Sequence, residues 1–464
     1  MAHIVCITGG LTGIFNASLA LVEQLVQAGH RVTYASPADW RAAVEAESFE
    51  TKKIEYVQLD EWVIQFAEPP MSRWEKLKKM RSRQQSAVAA LGVQNFVSTM
   101  RSLSPDLILI DIEMHPHIMA AVSAGLPVAS LCQFLSVWHR PNLPPTHTGT
   151  IPGVGWRGHR LGIELSWLQY SWQKWKTAQR ERWQRMGVDR ISVLRCYAKQ
   201  LKHPFCEQFG FSQWLVPYPH RNLPVLCLNA SELDFPHSLH PCMKYVGAMV
   251  KENRKAVQLS PIVRAEVEQL LKKRQPGRPL IYCGCSTFIK GNKRFLLQLI
   301  KAVEQQPDWD LVLGLGGQLD PGELGELPGN VRVFDWVPQM MLLQQASCAI
   351  NNGGINSINE CLHLGVPMLV YSLKRYDQNG NAARVSYHGL GIAGDFEQDS
   401  AGQIRQHLQR LLSEERYRQA AENMRDRYHQ YHREQRAVRC VEELLKSARL
   451  QDNKHQEASQ HVSA

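Results

Sequence analysis

Three runs between Trp336 and Gly391 hold residue types suited to a charged, hydroxyl-rich ligand. They are W-V-P-Q at 336–339, N-N-G-G-I-N-S at 351–357, and Asp377-Gln378. The apolar residues Cys348 to Ile350 predict a strand that breaks on Gly353-Gly354. Ser357, Glu360, Cys361, Leu362 and Leu364 carry a helix pattern directly after it. A strand that ends on two glycines and opens a helix presents backbone N–H groups and the positive end of a helix dipole, which suits a phosphate. Asp377 and Gln378 follow a second apolar run, Val366 to Tyr371, and supply a carboxylate and an amide for hydrogen bonds to sugar hydroxyls. Taken as one pocket, this spacing predicts a site for a sugar joined to a phosphate.

These residues resemble the donor-site signature of nucleotide-sugar-dependent glycosyltransferases of the two-Rossmann-domain (GT-B) type, in particular the family of UDP-glycosyltransferases and macrolide glycosyltransferases. That family shows W-x-P-Q, then T-H-x-G-x-N-S-x-x-E, then D-Q. Trp336, Pro338, Gln339, Gly354, Asn356, Ser357, Glu360, Asp377 and Gln378 match it. The resemblance implies that Trp336 stacks on a uracil, Gln339 holds the base edge, and Asn356 and Ser357 contact the diphosphate. It also implies that Glu360 grips the ribose and that Asp377 and Gln378 grip the sugar. Thr287, after Ser286 where the family has glycine, is implied as a further phosphate contact. Asn352 stands where the family has a histidine against the diphosphate; asparagine donates a hydrogen bond but carries no charge.

Sugar transfer to a hydroxyl benefits from a general base beside the acceptor. By the resemblance, Ile14 occupies the position of the family's histidine in G-H-x-x-P, and isoleucine takes no proton. Asp111 matches the aspartate that orients that histidine. It lies in D-I-E-M-H-P-H, which adds Glu113, His115 and His117 at the end of a strand, where α/β sheets place ligands. Asp111 is therefore the first candidate base, directly or through a water, with Glu113 and His115 as replacements. Helix capping by Asp111 and ordinary surface histidines are the plain alternatives. An acceptor that is already ionised, or a protein that binds a nucleotide sugar without transferring it, would also account for Ile14.

The elements that position these residues read as two α/β halves. In the first, His3 to Thr8 predicts a strand, Gly9-Gly10 a turn, Ala17 to Gln27 a helix and Arg31 to Ser36 a second strand. This is a βαβ unit of a doubly wound parallel sheet. Gly9, Gly10 and Gly13 lack the G-x-G-x-x-G spacing, and Ser36-Pro37 stands where an acidic residue would hold a ribose, which disfavours dinucleotide binding. Strands at Leu107 to Ile110 and Pro127 to Leu131 follow. The second half restarts at Leu280 to Cys283 and runs through Asp310 to Leu315 and Val331 to Phe334 into the signature. The expectation is two Rossmann-like doubly wound parallel-sheet domains facing each other across a cleft. An N-terminal acceptor-binding domain covers 1–235, a linker 236–258 and a nucleotide-sugar domain 259–415. Helices at 416–448 return to the first domain, and a polar tail covers 449–464.

Length and composition agree. The 464 residues suit two domains, 44% of them hydrophobic. No run approaches the roughly 18–20 apolar residues of a membrane span, and MAHIVCITGG reads as a buried strand rather than a signal peptide. The eleven cysteines, without C-x-x-C, read as buried thiols of a reducing cytoplasm. Trp156, Trp167, Trp172, Trp175 and Trp183 interleave with Lys and Arg, and Arg73 to Arg83 forms a second basic cluster. By the resemblance both lie near the acceptor. They suit either a lipophilic acceptor and peripheral contact with an anionic membrane, or a solvated helix with tryptophans packed on the core. The net charge of +10 favours acidic partners, but no nucleic-acid-binding motif accompanies it. The expected activity is metal-independent, inverting transfer of a hexose from a UDP-sugar, with no cofactor. A catalytically impaired nucleotide-sugar-binding partner or regulator is the alternative, and a nucleotide-sugar epimerase a more distant one.

Overall fold

The structure, a computed structural model, describes residues 1–47, 54–63, 66–205, 220, 222–252, 261–284, 293–317 and 319–448. Thr287 and the 449–464 tail lie outside the described residues.

Strands β1 (His3–Ile7), β2 (Arg31–Ser36), β3 (Glu55–Gln58), β4 (Leu107–Asp111), β5 (Val128–Cys132), β6 (Val225–Cys227) and β7 (Met243–Tyr245) form one sheet. Its order is β3-β2-β1-β4-β5-β6-β7, and every pairing is parallel. Strands β8 (Leu280–Gly284), β9 (Asp310–Gly314), β10 (Val331–Phe334), β11 (Cys348–Asn351), β12 (Met368–Val370) and β13 (Gly391–Ala393) form a second parallel sheet, ordered β10-β9-β8-β11-β12-β13. Buried on both faces, such strands read as continuous apolar runs, and every residue of β1, β4, β5 and β11 is buried. The two expected Rossmann-like sheets are present. β7 falls inside the stretch 236–258 read as a linker: its three residues are too short to signal a strand between Pro236, Pro241 and Gly247, yet Val225 pairs with Met243 and Cys227 with Tyr245.

In each sheet the strand order reverses beside the first strand, between β1 and β4 and between β8 and β11. Connections leave these neighbouring strands toward opposite faces, which opens a crevice at their C-terminal ends. Gly9 and Asp111 mark the first crevice; Gly284 and Asn351 mark the second.

The two halves are joined by packing and by buried polar bonds. One apolar cluster runs from Phe134, Trp138 and Cys227 of the first half to Tyr282, Ile355 and Ile358 of the second, and takes in Tyr428 and Tyr431 of the Glu415–Arg433 helix. That helix breaks at Gln435, whose φ is +49°. Residues 436–448 then pack Ala437, Val438, Val441 and Leu445 onto the core of the first half. Asn359 Nδ2 donates to Asn229 Oδ1 at 2.8 Å, and the Tyr428 hydroxyl donates to Asn359 Oδ1 at 2.9 Å. Arg384 and Asp234, both fully buried, form an ion pair with Nε and Nη2 at 2.8 and 2.6 Å from Oδ1. Asp234 also accepts from the backbone N–H of Ser136 and the Tyr245 hydroxyl.

Candidate active site

The donor side is built where β11 ends. Gly353, at φ +80°, turns the chain, and its N–H donates to Asn351 Oδ1 at 2.9 Å. A Cβ there would stand 2.9 Å from the carbonyl oxygen of Gln378, so this glycine lets the loop lie against the start of the Gln378–Tyr387 helix. The Ile355–His363 helix opens at Gly354 with no side chain capping it, and Asn356 and Ser357 occupy its first turn. Asn352 Nδ2 is buried and has no hydrogen-bond partner among the described residues. A buried amide donor without a partner, next to an uncapped helix N-terminus, is what an incoming phosphate oxygen would satisfy.

Alongside this loop, the Tyr282 hydroxyl donates to Gln339 Oε1 at 3.0 Å, and Gln339 Nε2 donates to the buried carboxylate of Glu360. This chain fixes which atom of each group remains for a ligand. Trp336, 47% exposed, lies over Gly317, whose φ is +72° and whose added Cβ would stand 3.4 Å from the indole. Asp377 is buried. Burial pushes its carboxyl above the ordinary range, against a hydrogen bond from Asn381. Asn381 Nδ2 bridges Asp377 Oδ2 and the carbonyl of Gly353, each at 2.9 Å, and so ties the Asp377 carboxylate to the loop after β11. Gln378 Oε1 accepts from the N–H of Leu373 at 3.1 Å, which leaves its amide nitrogen for a ligand. The structure therefore gathers Trp336, Gln339, Asn352, Gly354, Asn356, Ser357, Glu360, Asp377 and Gln378 on one side of one domain. Sequence reading missed Tyr282 and Asn381; the spacing of Asn381, four residues after Asp377, was the available signal.

The opposite wall comes from the first domain. Gly13 approaches the donor helix so closely that a Cβ would stand 2.6 Å from Asn356 Nδ2. Ile14, the next residue on the Thr12–Gln27 helix, is fully buried in the core. One helical step of about 100° separates it from Gly13, and isoleucine offers no atom that takes a proton. Asp111, at the tip of β4, accepts from the N–H of Glu113 at 3.1 Å and lies under Gly9, whose added Cβ would stand 3.7 Å from Asp111 Oδ2. Burial, then the charge of Glu113, pushes the Asp111 carboxyl up to about 7. Burial also raises Glu113, with Arg190 lowering it and Asp377 of the other domain raising it. His115 is held well below its ordinary value, first by burial and then by Arg190 and His220. His117 lies in the core with its ring edge-on to Phe96 and Trp62, which removes it from the site.

Glu113 and His115 line a cavity of about 510 Å³. Trp62, Phe66, Phe134, Tyr170 and Leu194 give it apolar walls, and Lys174, Glu181 and Arg190 give it charges. Tyr376, next to Asp377, reaches it from the second domain. The Arg160–Arg185 helix supplies one wall, and the Nε1 of its buried Trp167 donates to the Leu143 carbonyl at 2.7 Å. Trp156, Trp172, Trp175 and Trp183 are exposed instead.

No group of three or more His, Cys, Asp or Glu among the described residues is arranged to hold a metal ion. The chain does contain one D-x-D run, Asp308-Trp309-Asp310. It opens β9 at the end of the sheet away from the donor loop, where Asp310 pairs with Arg274 and Arg278 at 3.2 and 3.0 Å. The run is structural there and says nothing about metal use.

Residues 299–444, which hold the whole donor loop and its flanks, match the family model described as Erythromycin biosynthesis protein CIII-like, C-terminal domain. Over these residues the chain is similar to the UDP-glycosyltransferase-like family. It is 27% identical to the oleandomycin glycosyltransferase of Streptomyces antibioticus over 86% of this chain and 80% of that protein. It is 24% identical to the NDP-glycosyltransferase YjiC of Bacillus subtilis (strain 168) over 96% and 98% of the two chains. Among solved structures, the calicheamicin glycosyltransferase CalG4 superposes with a TM-score of 0.64 at 19% identity, covering 96% of this chain and 98% of that one, a likeness of fold. The fold is that of two Rossmann-like domains, and these likenesses support a glycosyltransferase, the relatives implying a nucleotide-sugar donor and a small-molecule acceptor. No helix among the described residues is long and apolar enough to cross a membrane.

Proposed function

We propose that this glycosyltransferase moves a hexose from a UDP-sugar to a hydroxyl of a lipophilic acceptor, with inversion and without a metal. The observation that carries the donor reading is the buried Asn352 Nδ2, without a hydrogen-bond partner among the described residues, beside the uncapped N-terminus of the Ile355–His363 helix. These groups would meet the charge that develops on the leaving diphosphate, and fixed dipoles suffice for that without an ion. The exposed ring of Trp336 would take the base, and the Glu360 carboxylate, held by Gln339, would take ribose hydroxyls. The apolar walls of the 510 Å³ cavity support a lipophilic acceptor. On its donor-facing side the carboxylates of Glu113 and Asp111 would take the proton, Glu113 at the wall and Asp111 behind it. Thr287 remains a proposed phosphate contact. No cofactor is required, since the nucleotide sugar is a substrate. The protein is proposed to work in the cytoplasm.

Calorimetric titration tests the donor half. UDP is expected to bind the wild type with micromolar affinity, and more tightly than dTDP, because Glu360 addresses ribose hydroxyls. Trp336→Ala should weaken binding by about 5- to 150-fold, the worth of one stacked base. Asn352→Asp should weaken it further, because a carboxylate would face the diphosphate. Absence of UDP binding by the folded wild type, or tighter binding of dTDP, would overturn the assignment of the donor.

A further inference from the structure

The outer face of the Arg160–Arg185 helix plays no part in the site described above. At about 100° per residue, Tyr170, Lys174, Thr177 and Glu181 gather on the cavity side. Leu161, Leu165, Leu168, Trp172, Trp175 and Trp183 gather on the opposite side. All six are exposed, Leu161 by 78% and Trp183 by 65%. Trp172 stacks on Trp175 at 5.0 Å, and the Arg73 guanidinium lies 3.8 Å over the Trp183 ring. Along this 26-residue helix the stripe from Leu161 to Trp183 is about 33 Å long. Apolar area of this extent on a surface marks a contact with something else.

The charges beside the stripe identify that partner. Arg157, Arg160, Lys176, Arg180 and Arg182 are all exposed along it. The helix carries two acids: Glu164 pairs with His139 at 2.8 Å, and Glu181 lines the cavity. We propose that the stripe docks the protein on the surface of an anionic bilayer, with the helix lying in the interfacial plane. Tryptophan suits that position, since its ring is apolar and its N–H stays near water. Basic residues beside an apolar face add attraction to anionic headgroups. A second copy of the chain fits less well, because a two-fold contact between identical stripes would set their basic flanks against each other. Leu165 and Trp156 also border a groove that shares Tyr170 and Gln173 with the acceptor cavity. An acceptor drawn from the bilayer has a path along it, a corollary that rests on the proposed transfer, whereas docking itself does not.

Sedimentation of the full-length protein with vesicles of phosphatidylcholine alone, and with phosphatidylglycerol added, tests the docking. The wild type should partition onto the anionic vesicles at least about tenfold better than onto the neutral ones, with the advantage lost at high salt. The combined variant Leu168→Gln, Trp172→Gln, Trp175→Gln, and separately Lys176→Gln with Arg180→Gln, should each lower partition by about tenfold or more. UDP titration should be unchanged in both, and the single Trp172→Gln variant covers misfolding of the triple one. Wild type that ignores both kinds of vesicle, or variants that bind as well as wild type, would refute docking. Self-association removed by the triple variant would also refute it and assign the stripe to a second copy. Loss of UDP binding by the wild type would count against the transfer reading alone.

Discussion

Glu113→Gln and Asp111→Asn are each expected to lower kcat by about 100- to 10,000-fold while leaving UDP affinity unchanged. Both carboxylates stand at the crevice between β1 and β4, on the acceptor side, and Glu113 senses Asp377 across the cleft. Burial raises both above the ordinary range, so each is protonated at a pH where a solvated carboxylate is already ionised. The base form therefore appears only on the alkaline side, and the rate should fall as pH drops through about 7 rather than through the ordinary carboxylate range. The stability consequence runs the other way. A carboxyl raised by folding contributes stability that is full below its unfolded value and lost as pH rises through the folded one. Asp111→Asn keeps an oxygen for the N–H of Glu113 and removes the buried charge. It should raise stability on the order of 2–4 kcal/mol above pH 7 and change little at pH 4. A variant that is both less active and more stable at alkaline pH is the signature of a strained catalytic carboxylate. Unchanged kcat in the double amide variant would point to an acceptor that needs no base.

Arg384→Met is expected to cost about 3–5 kcal/mol, read as a lower urea midpoint, because it leaves Asp234 as a buried charge without its cation. Three further donors, the N–H groups of Ser136 and Phe235 and the Tyr245 hydroxyl, are already committed to Asp234 and cannot neutralise it. The pair also anchors the helix that begins at Gln378, directly after Asp377, to the first domain. A parallel loss of donor-sugar affinity, beyond that for UDP alone, should therefore accompany the loss of stability. Replacing both partners by apolar residues should recover much of the stability and little of the sugar affinity, which separates the two roles.

The strand–loop–helix proposed for the donor was legible because its residues are contiguous. One strand, two glycines and one helix place Asn352, Gly354, Asn356, Ser357 and Glu360 within ten residues, and backbone geometry alone sets their directions. The interdomain bonds were not legible, since nothing local links Asp234 to Arg384 or Asn229 to Asn359. The cavity lined by Glu113 and His115 lay in the same blind spot. Arg190 and Lys174 become informative only when their helices fold beside Glu113. The close approach of Gly13 to Asn356 was equally hidden, since it depends on how the two domains meet. The tryptophan-rich segment divides, with Trp167 packed in the core and Trp156, Trp172, Trp175 and Trp183 exposed, a split that composition alone does not show.

The most direct test of the central claim follows the fate of a UDP-hexose. The purified protein would be incubated with each UDP-hexose and a lipid extract, with phosphorus NMR following the nucleotide and mass spectrometry and proton NMR following the product. Transfer predicts UDP released in step with a hexose-bearing lipophilic product whose anomeric configuration is opposite to that of the donor. Tight binding without turnover, or conversion to a new sugar nucleotide with no acceptor present, would contradict it.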